Sequence, residues 1–245
     1  MADFQEQYQT RGRVETRSQA EIDQGLRSYM LGIYNYMAIA MVITGGVAMA
    51  VANYAFSNPE FAQTLYGGPL RWVVMLAPLA FVVVLSFGIN KLSAGAAQII
   101  FWVYAAVMGL SLSSIFLVYT GASIAQTFFV TAAAFGALSL YGYTTKRSLS
   151  GMGSFLLMGL FGLIIASVVN IFLQSSALQF AVSVIGVLVF AGLTAYDTQR
   201  LKWMYDSVSH SAELVAKSSI MGALSLYLNF INMFIMLLQL FGSRE

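Results

Sequence analysis

Asp197, within Thr194-Ala195-Tyr196-Asp197-Thr198-Gln199, is the one carboxylate attached to a long uncharged stretch of this chain. An aspartate at mid-bilayer depth costs about 2.5–3.5 kcal/mol on insertion scales, so such a residue is usually paired, water-lined or functional. Its position leaves two readings open: a titrating group facing another helix, or an interfacial aspartate paired with Arg200 three residues on. A second pattern follows it. Ser218, Gly222, Ser225, Asn229 and Asn232 recur at steps of four, three, four and three and so share one helix face. Small residues allow close helix approach and asparagines hydrogen-bond across helices, while the same stripe would also line a path for water or ions. Asn229 lies about ten residues, roughly 15 Å, into its stretch. Asp197 reaches that depth, and meets Asn229, only if its helix continues to Trp203 or Met204. Asn35, Asn90 and Asn170 are further polar points, each read first as a packing hydrogen bond.

Several chemistries are excluded. An aspartyl protease needs two carboxylates sharing a proton, and Asp197 has no acidic counterpart within any uncharged stretch. The only histidine, His210, falls in a loop, so an intramembrane serine has no basic partner, and every lysine that could hold retinal lies at a stretch end or in a loop. Cysteine is absent, which removes thiolate catalysis, disulfides and iron–sulfur ligation. No Gly-rich nucleotide loop or His-rich metal site is present, so neither an enzyme nor a cofactor is expected.

These residues must be positioned by membrane helices. The 245 residues are 59% hydrophobic and 9% charged, far below the roughly 25% charged of soluble domains. Nine of the charged residues fall among the first 29. Spanning about 30 Å of hydrocarbon takes about 20 apolar residues, and seven runs of that length occur, at about 30–54, 69–89, 97–119, 124–144, 154–174, 177–196 and 219–241, uncharged except for Arg71 two residues from an end. The expected fold is an all-α membrane protein with seven transmembrane helices. Residues 1–17 read as a mobile cytosolic tail, and 18–29 as an amphipathic lead-in helix. Its capping box is Ser18-Gln19-Ala20-Glu21, and Ile22, Leu26 and Tyr29 follow at helical spacing. Residues 30–245 form the transmembrane domain. Gln174-Ser175-Ser176 leaves almost no loop and predicts a tight antiparallel hairpin. No cleavable signal peptide is visible.

With the N-terminus inside, ten of the twelve Lys and Arg residues face the cytoplasm, leaving Arg71 and Arg244 outside. This positive-inside asymmetry places the C-terminus outside, with Trp72, Tyr54 and Tyr66 at the outer interface and Trp203 and Tyr205 at the inner one. Clustered basic residues suited to nucleic acid are missing. The string GALSLY occurs at 136–141 and 222–227, in oppositely directed spans. Inverted repeats build midplane transporter sites, although such strings also recur by chance in apolar helices.

AGLTAYDTQ (191–199), GALSLYLNFIN (222–232), SLYGYTTKRSLS (139–150) and ALQFAVSVIG (177–186) resemble the Bax inhibitor-1, or transmembrane Bax inhibitor motif, family, and within it the bacterial inner-membrane branch. The resemblance covers nearly the whole chain from about Glu21. It implies six helices around a central C-terminal one, and a pH-sensitive calcium leak. It also implies a sensor made of one aspartate in the YD motif and another in the span-seven motif, latched by an arginine at the end of span two. Asp197 matches the first aspartate, Asn229 stands at the second, and Asn90 stands at the arginine with Lys91 beside it as the candidate latch. The chain thus departs from that sensor at two of its three positions. Two adjacent carboxylates titrate as a coupled pair. Asn229 brings no like charge and bonds either form of Asp197, which predicts a weaker or differently centred pH response.

Two functions from different classes are expected. The first is a cation leak, calcium being the candidate, beside span seven, with Asp197 as pH sensor and gate and Asn229 as its partner. Against it, calcium prefers six to eight oxygens, and one carboxylate supplies few. The alternative is a regulatory protein that binds and modulates a membrane-anchored AAA-type quality-control protease, a property the resemblance implies for the bacterial branch, with the charged tail as its handle. A proton-coupled transporter gains only from the GALSLY repeat.

Overall fold

A computed structural model describes residues 19–244, with side chains from residue 22 onward. The 1–17 tail and Ser18 lie outside the described residues, as do the side chains of the 18–21 capping pattern. Seven long helices follow: α1 (Gln19–Ser57), α2 (Leu70–Gly88), α3 (Ala94–Leu112), α4 (Gly121–Thr144), α5 (Ser150–Leu173), α6 (Ser176–Val208) and α7 (Ala212–Phe241). Each is long and apolar enough to cross a membrane. Two short turns, Pro59–Ala62 and Gln63–Gly67, connect α1 to α2, and a 3-10 turn at Ser113–Leu117 extends α3.

Local sequence sets the starts of four helices. Ser93, Thr120, Ser175 and Ser211 each sit in extended backbone, and each hydroxyl accepts a hydrogen bond from a first-turn N–H. The expected hairpin forms between α5 and α6. Gln174 takes the left-handed conformation at φ 49°, and Asn170 Oδ1 accepts the Ser175 N–H at 3.0 Å. Asn170 therefore serves the turn.

Helix ends differ from the uncharged runs mainly where charge begins. The sixth helix does not stop at residue 196 but continues to Val208, because no Gly or Pro interrupts 193–208. Charged side chains end an apolar run without ending a helix. At 1.5 Å per residue α1, α6 and α7 are roughly 58, 50 and 45 Å long, more than the hydrocarbon needs. Their extra turns meet at one end of the bundle, where Tyr29 packs on Tyr205 with ring centroids 5.4 Å apart. Tyr205 is buried there against the protein, whereas Trp72, Tyr54 and Trp203 are exposed.

α6 and α7 form the most extensive pair, and α7 also packs on α1, α3 and α4. Two glycines set the closest approaches between helix backbones. A Cβ at Gly142 in α4 would stand 2.2 Å from the Ala195 carbonyl oxygen of α6, and one at Gly109 in α3 2.5 Å from that of Thr44 in α1. Around α7 the buried rings of Phe101, Tyr104 and Tyr227 meet. The Tyr227 hydroxyl lies 2.7 Å from that of Thr44, which donates to the Ala105 carbonyl. At the far end of α7 the chain folds back on the α3–α4 connection: Thr120 N–H donates to the Ser243 carbonyl, and Ser243 N–H to Ser123 Oγ.

Candidate functional site

The extension of α6 decides the geometry. Asp197 sits about three turns before the end of the helix rather than at its tip, and it is 7% exposed. Its Oδ2 accepts a hydrogen bond of 2.8 Å from Asn229 Nδ2 across the α6–α7 interface, and Asn229 is itself buried. The other oxygen, Oδ1, lies 3.0 Å from Arg200 Nη2, one turn on along α6. The two readings of Asp197 therefore coexist: it faces α7 and it pairs with Arg200. Each carboxylate oxygen has one charge-assisted partner, which compensates its burial. The Arg200 guanidinium is half-exposed and also lies 5.9 Å from the Tyr196 ring centroid.

Each residue after Tyr196 serves a different neighbour. Asp197 meets α7. Thr198 Oγ1 lies 2.9 Å from Ser139 Oγ on α4, and Ser139 bonds in turn to the Tyr34 hydroxyl of α1 at 2.5 Å. Gln199 clamps the α4–α5 connection, its Oε1 accepting the Leu149 N–H at 2.7 Å and its Nε2 donating to the Arg147 carbonyl at 2.9 Å. Beyond Arg200, Lys202 Nζ donates to the Tyr143 carbonyl at 2.9 Å and lies over that ring. Three of the four quoted segments, 139–150, 191–199 and 222–232, thus converge on one joint. Gln199 and the Thr198–Ser139–Tyr34 chain escaped the sequence reading. Their signal was the uncharged polar residue recurring at 194 and 198 within an apolar helix.

A family model described as inhibitor of apoptosis-promoting Bax1 matches residues 26–245. The chain belongs to the Bax inhibitor-1 family. It is similar to inner membrane protein YbhL of Escherichia coli K12, with 52% identity over 228 residues that cover 90% of this chain and 94% of YbhL. Protein RP147 of Rickettsia prowazekii is 48% identical over 230 residues, 94% of this chain and 95% of its own length. A protein of Caulobacter vibrioides is 46% identical with both chains fully covered.

In this Bax inhibitor-1 family member the partners of the aspartate come from α6 and α7. Neither Asn90 nor Lys91 bonds to Asp197 among the described residues, and the cation on Asp197 is Arg200 of its own helix. Asn90 lines a cavity of about 340 Å³ together with Arg200, Lys217, Ser218, Gly222 and Ser225. Lys91 is exposed and is not part of that lining. The α7 stripe divides by depth. Ser218 bonds to the Tyr29 hydroxyl at 2.7 Å, and Gly222 makes room for Leu201 and Ile33, whose side chains would lie 2.7 and 3.1 Å from an added Cβ. Asn232 Nδ2 donates to the Leu228 carbonyl of its own helix, so it makes no cross-helix bond. The two GALSLY copies are not equivalent: Gly136 faces open space where Gly222 is crowded, and Ser139 is bonded where Ser225 lines the cavity.

Proposed function

We propose that this chain is a multipass inner-membrane protein that leaks cations, calcium being the candidate, under control of the proton on Asp197. The observation that carries the reading is the buried carboxylate held at once by Asn229 on α7 and by Arg200. Ionised, Asp197 anchors both groups. A proton cancels its charge and the Arg200 ion pair with it, while an asparagine amide bonds either form, as donor to the carboxylate or acceptor from the acid. The proton thus releases the cation and leaves the α6–α7 link to a neutral hydrogen bond, weaker than a charge-assisted one. Among the described residues no three acidic, histidine or cysteine side chains converge on a common point. Calcium, with its need for six to eight oxygens, would therefore pass with carbonyls and water in attendance instead of being held. YbhL is named an inner membrane protein. The same compartment here, with the N-terminus cytoplasmic and the C-terminus outside, rests on the Lys and Arg distribution.

The test is calcium influx into proteoliposomes from about pH 8 to about pH 5, the range over which a perturbed carboxylate or histidine titrates. Native protein, Asp197→Ala and Asn229→Asp are compared. The reading expects native flux, a displaced pH response in Asp197→Ala, and a steeper one in Asn229→Asp, where two carboxylates share a proton. Equal tightness of all three at every pH would sink it and favour partner binding through residues 1–17.

A further inference from the structure

The cavity of about 340 Å³ between α6, α7 and the end of α2 presents cations and neutral donors. Arg200 and Lys217 both line it, as do Asn90, Ser218 and Ser225, and no carboxylate does. The counter-ions of both cations lie elsewhere. Asp197 is buried on the α7 side and engages one of the three guanidinium nitrogens, which together carry five N–H donors. Glu213, 2.9 Å from Lys217 Nζ, has a side chain that is 60% exposed, whereas that of Lys217 is 16% exposed. The Asn90 amide and the Ser225 hydroxyl make no hydrogen bond to any described residue. Two cations, the Asn90 amide and the Ser225 hydroxyl, around a space of several water volumes, match a ligand with several anionic oxygens, while the Ser218 hydroxyl is already bonded to Tyr29 and Met204. A monatomic anion would meet only part of that donor set.

We propose that this cavity is an oxyanion-binding site that takes a phosphate group, carried either by an anionic lipid headgroup at the bundle end or by free phosphate. Arg200 supplies planar paired donors and Lys217 a point charge, and the neutral groups complete the shell. Met204, Val208 and Leu214 form its apolar wall. A seated anion would also cancel the positive field beside Asp197. That consequence rests on the cation-leak reading, whereas the binding itself does not.

Binding is measured on the full chain without any flux assay. Inorganic phosphate is titrated calorimetrically into protein in an uncharged detergent. In parallel, retention of phosphatidylglycerol from mixed phosphatidylglycerol and phosphatidylcholine nanodiscs is read by native mass spectrometry. Lys217→Gln removes one charge-assisted contact and is expected to weaken binding about tenfold, and Ser225→Leu, which fills the cavity, should abolish it. Arg200→Gln is a third variant, but it also unpairs Asp197, so the first two decide. Saturable phosphate binding that Lys217→Gln weakens and Ser225→Leu abolishes supports the site with the free ion as ligand. Phosphatidylglycerol retention weakened by Lys217→Gln and lost in Ser225→Leu, with no phosphate binding, supports it with the headgroup as ligand. Absence of both, or binding that neither variant changes, overturns the proposal.

Discussion

α5 and α7 are both membrane-length helices, and they sit in opposite environments. The apolar window of α5 is the most hydrophobic of the seven, yet only 11% of it is buried inside the protein. That of α7 is less apolar, carrying Ser225, Asn229 and Asn232, and 67% of it is buried. Hydrocarbon outside favours the apolar helix, and protein inside offers partners for the polar one. Here hydropathy therefore runs against burial. Packing and hydrogen bonds, which lipid cannot replace, are concentrated on α6 and α7.

Substitutions can break this contrast, and the largest effect is expected at the closest approach. Gly142→Leu should abolish a folded, monodisperse protein in size-exclusion chromatography, because its Cβ would press on the Ala195 backbone. Gly162→Leu on α5, where nothing lies within 4 Å of an added Cβ, should elute like native. Phe230 on α7 is 2% exposed and its ring lies 5.5 Å from that of Phe128 and 5.6 Å from that of Phe135. Phe230→Ala should cost about 3 kcal/mol in denaturant unfolding. Phe161→Ala on α5, 66% exposed, should stay within about 0.5 kcal/mol.

Smaller effects sharpen the contrast. Asn229→Leu leaves Asp197 with Arg200 alone and should destabilise by about 1–3 kcal/mol, the cost of an unmet partner on a buried charged group. Asp197→Asn keeps a hydrogen bond to Asn229 and should cost less than Asn229→Leu in the same assay. Thr44→Val breaks the bonds to Tyr227 and to the Ala105 carbonyl and should cost about 1 kcal/mol, at an average of about 0.6 kcal/mol for each buried interhelical bond in a membrane protein.

Much of this architecture was legible in sequence. Uncharged runs located all seven helices, since nothing else fills 20 residues of hydrocarbon. Less legible were the features that depend on what lies beyond the bilayer. Charge beginning at Asp197 ended the sixth run, though the helix continues through it to Val208. With that extension, the conditional meeting of Asp197 and Asn229 becomes a 2.8 Å hydrogen bond. The partner cation could not be settled by spacing alone, because Arg200 and the end of α2 were both open. Gln199 reads as an ordinary polar residue until the α4–α5 connection is seen against it. Asn232 shares the stripe by periodicity but bonds its own backbone, a distinction periodicity does not contain.

The central claim is that the charge on Asp197 sets the state of the α6–α7 joint. The chain has no cysteine, so Trp203→Cys on α6 and Leu214→Cys on α7, both at exposed positions, would carry the only spin labels. The distance distribution between them is measured by pulsed electron resonance in nanodiscs at about pH 8 and about pH 5. The account predicts a change between the two values that disappears when Asp197→Asn is added. An unchanged distribution, or a change that persists in Asp197→Asn, would contradict it.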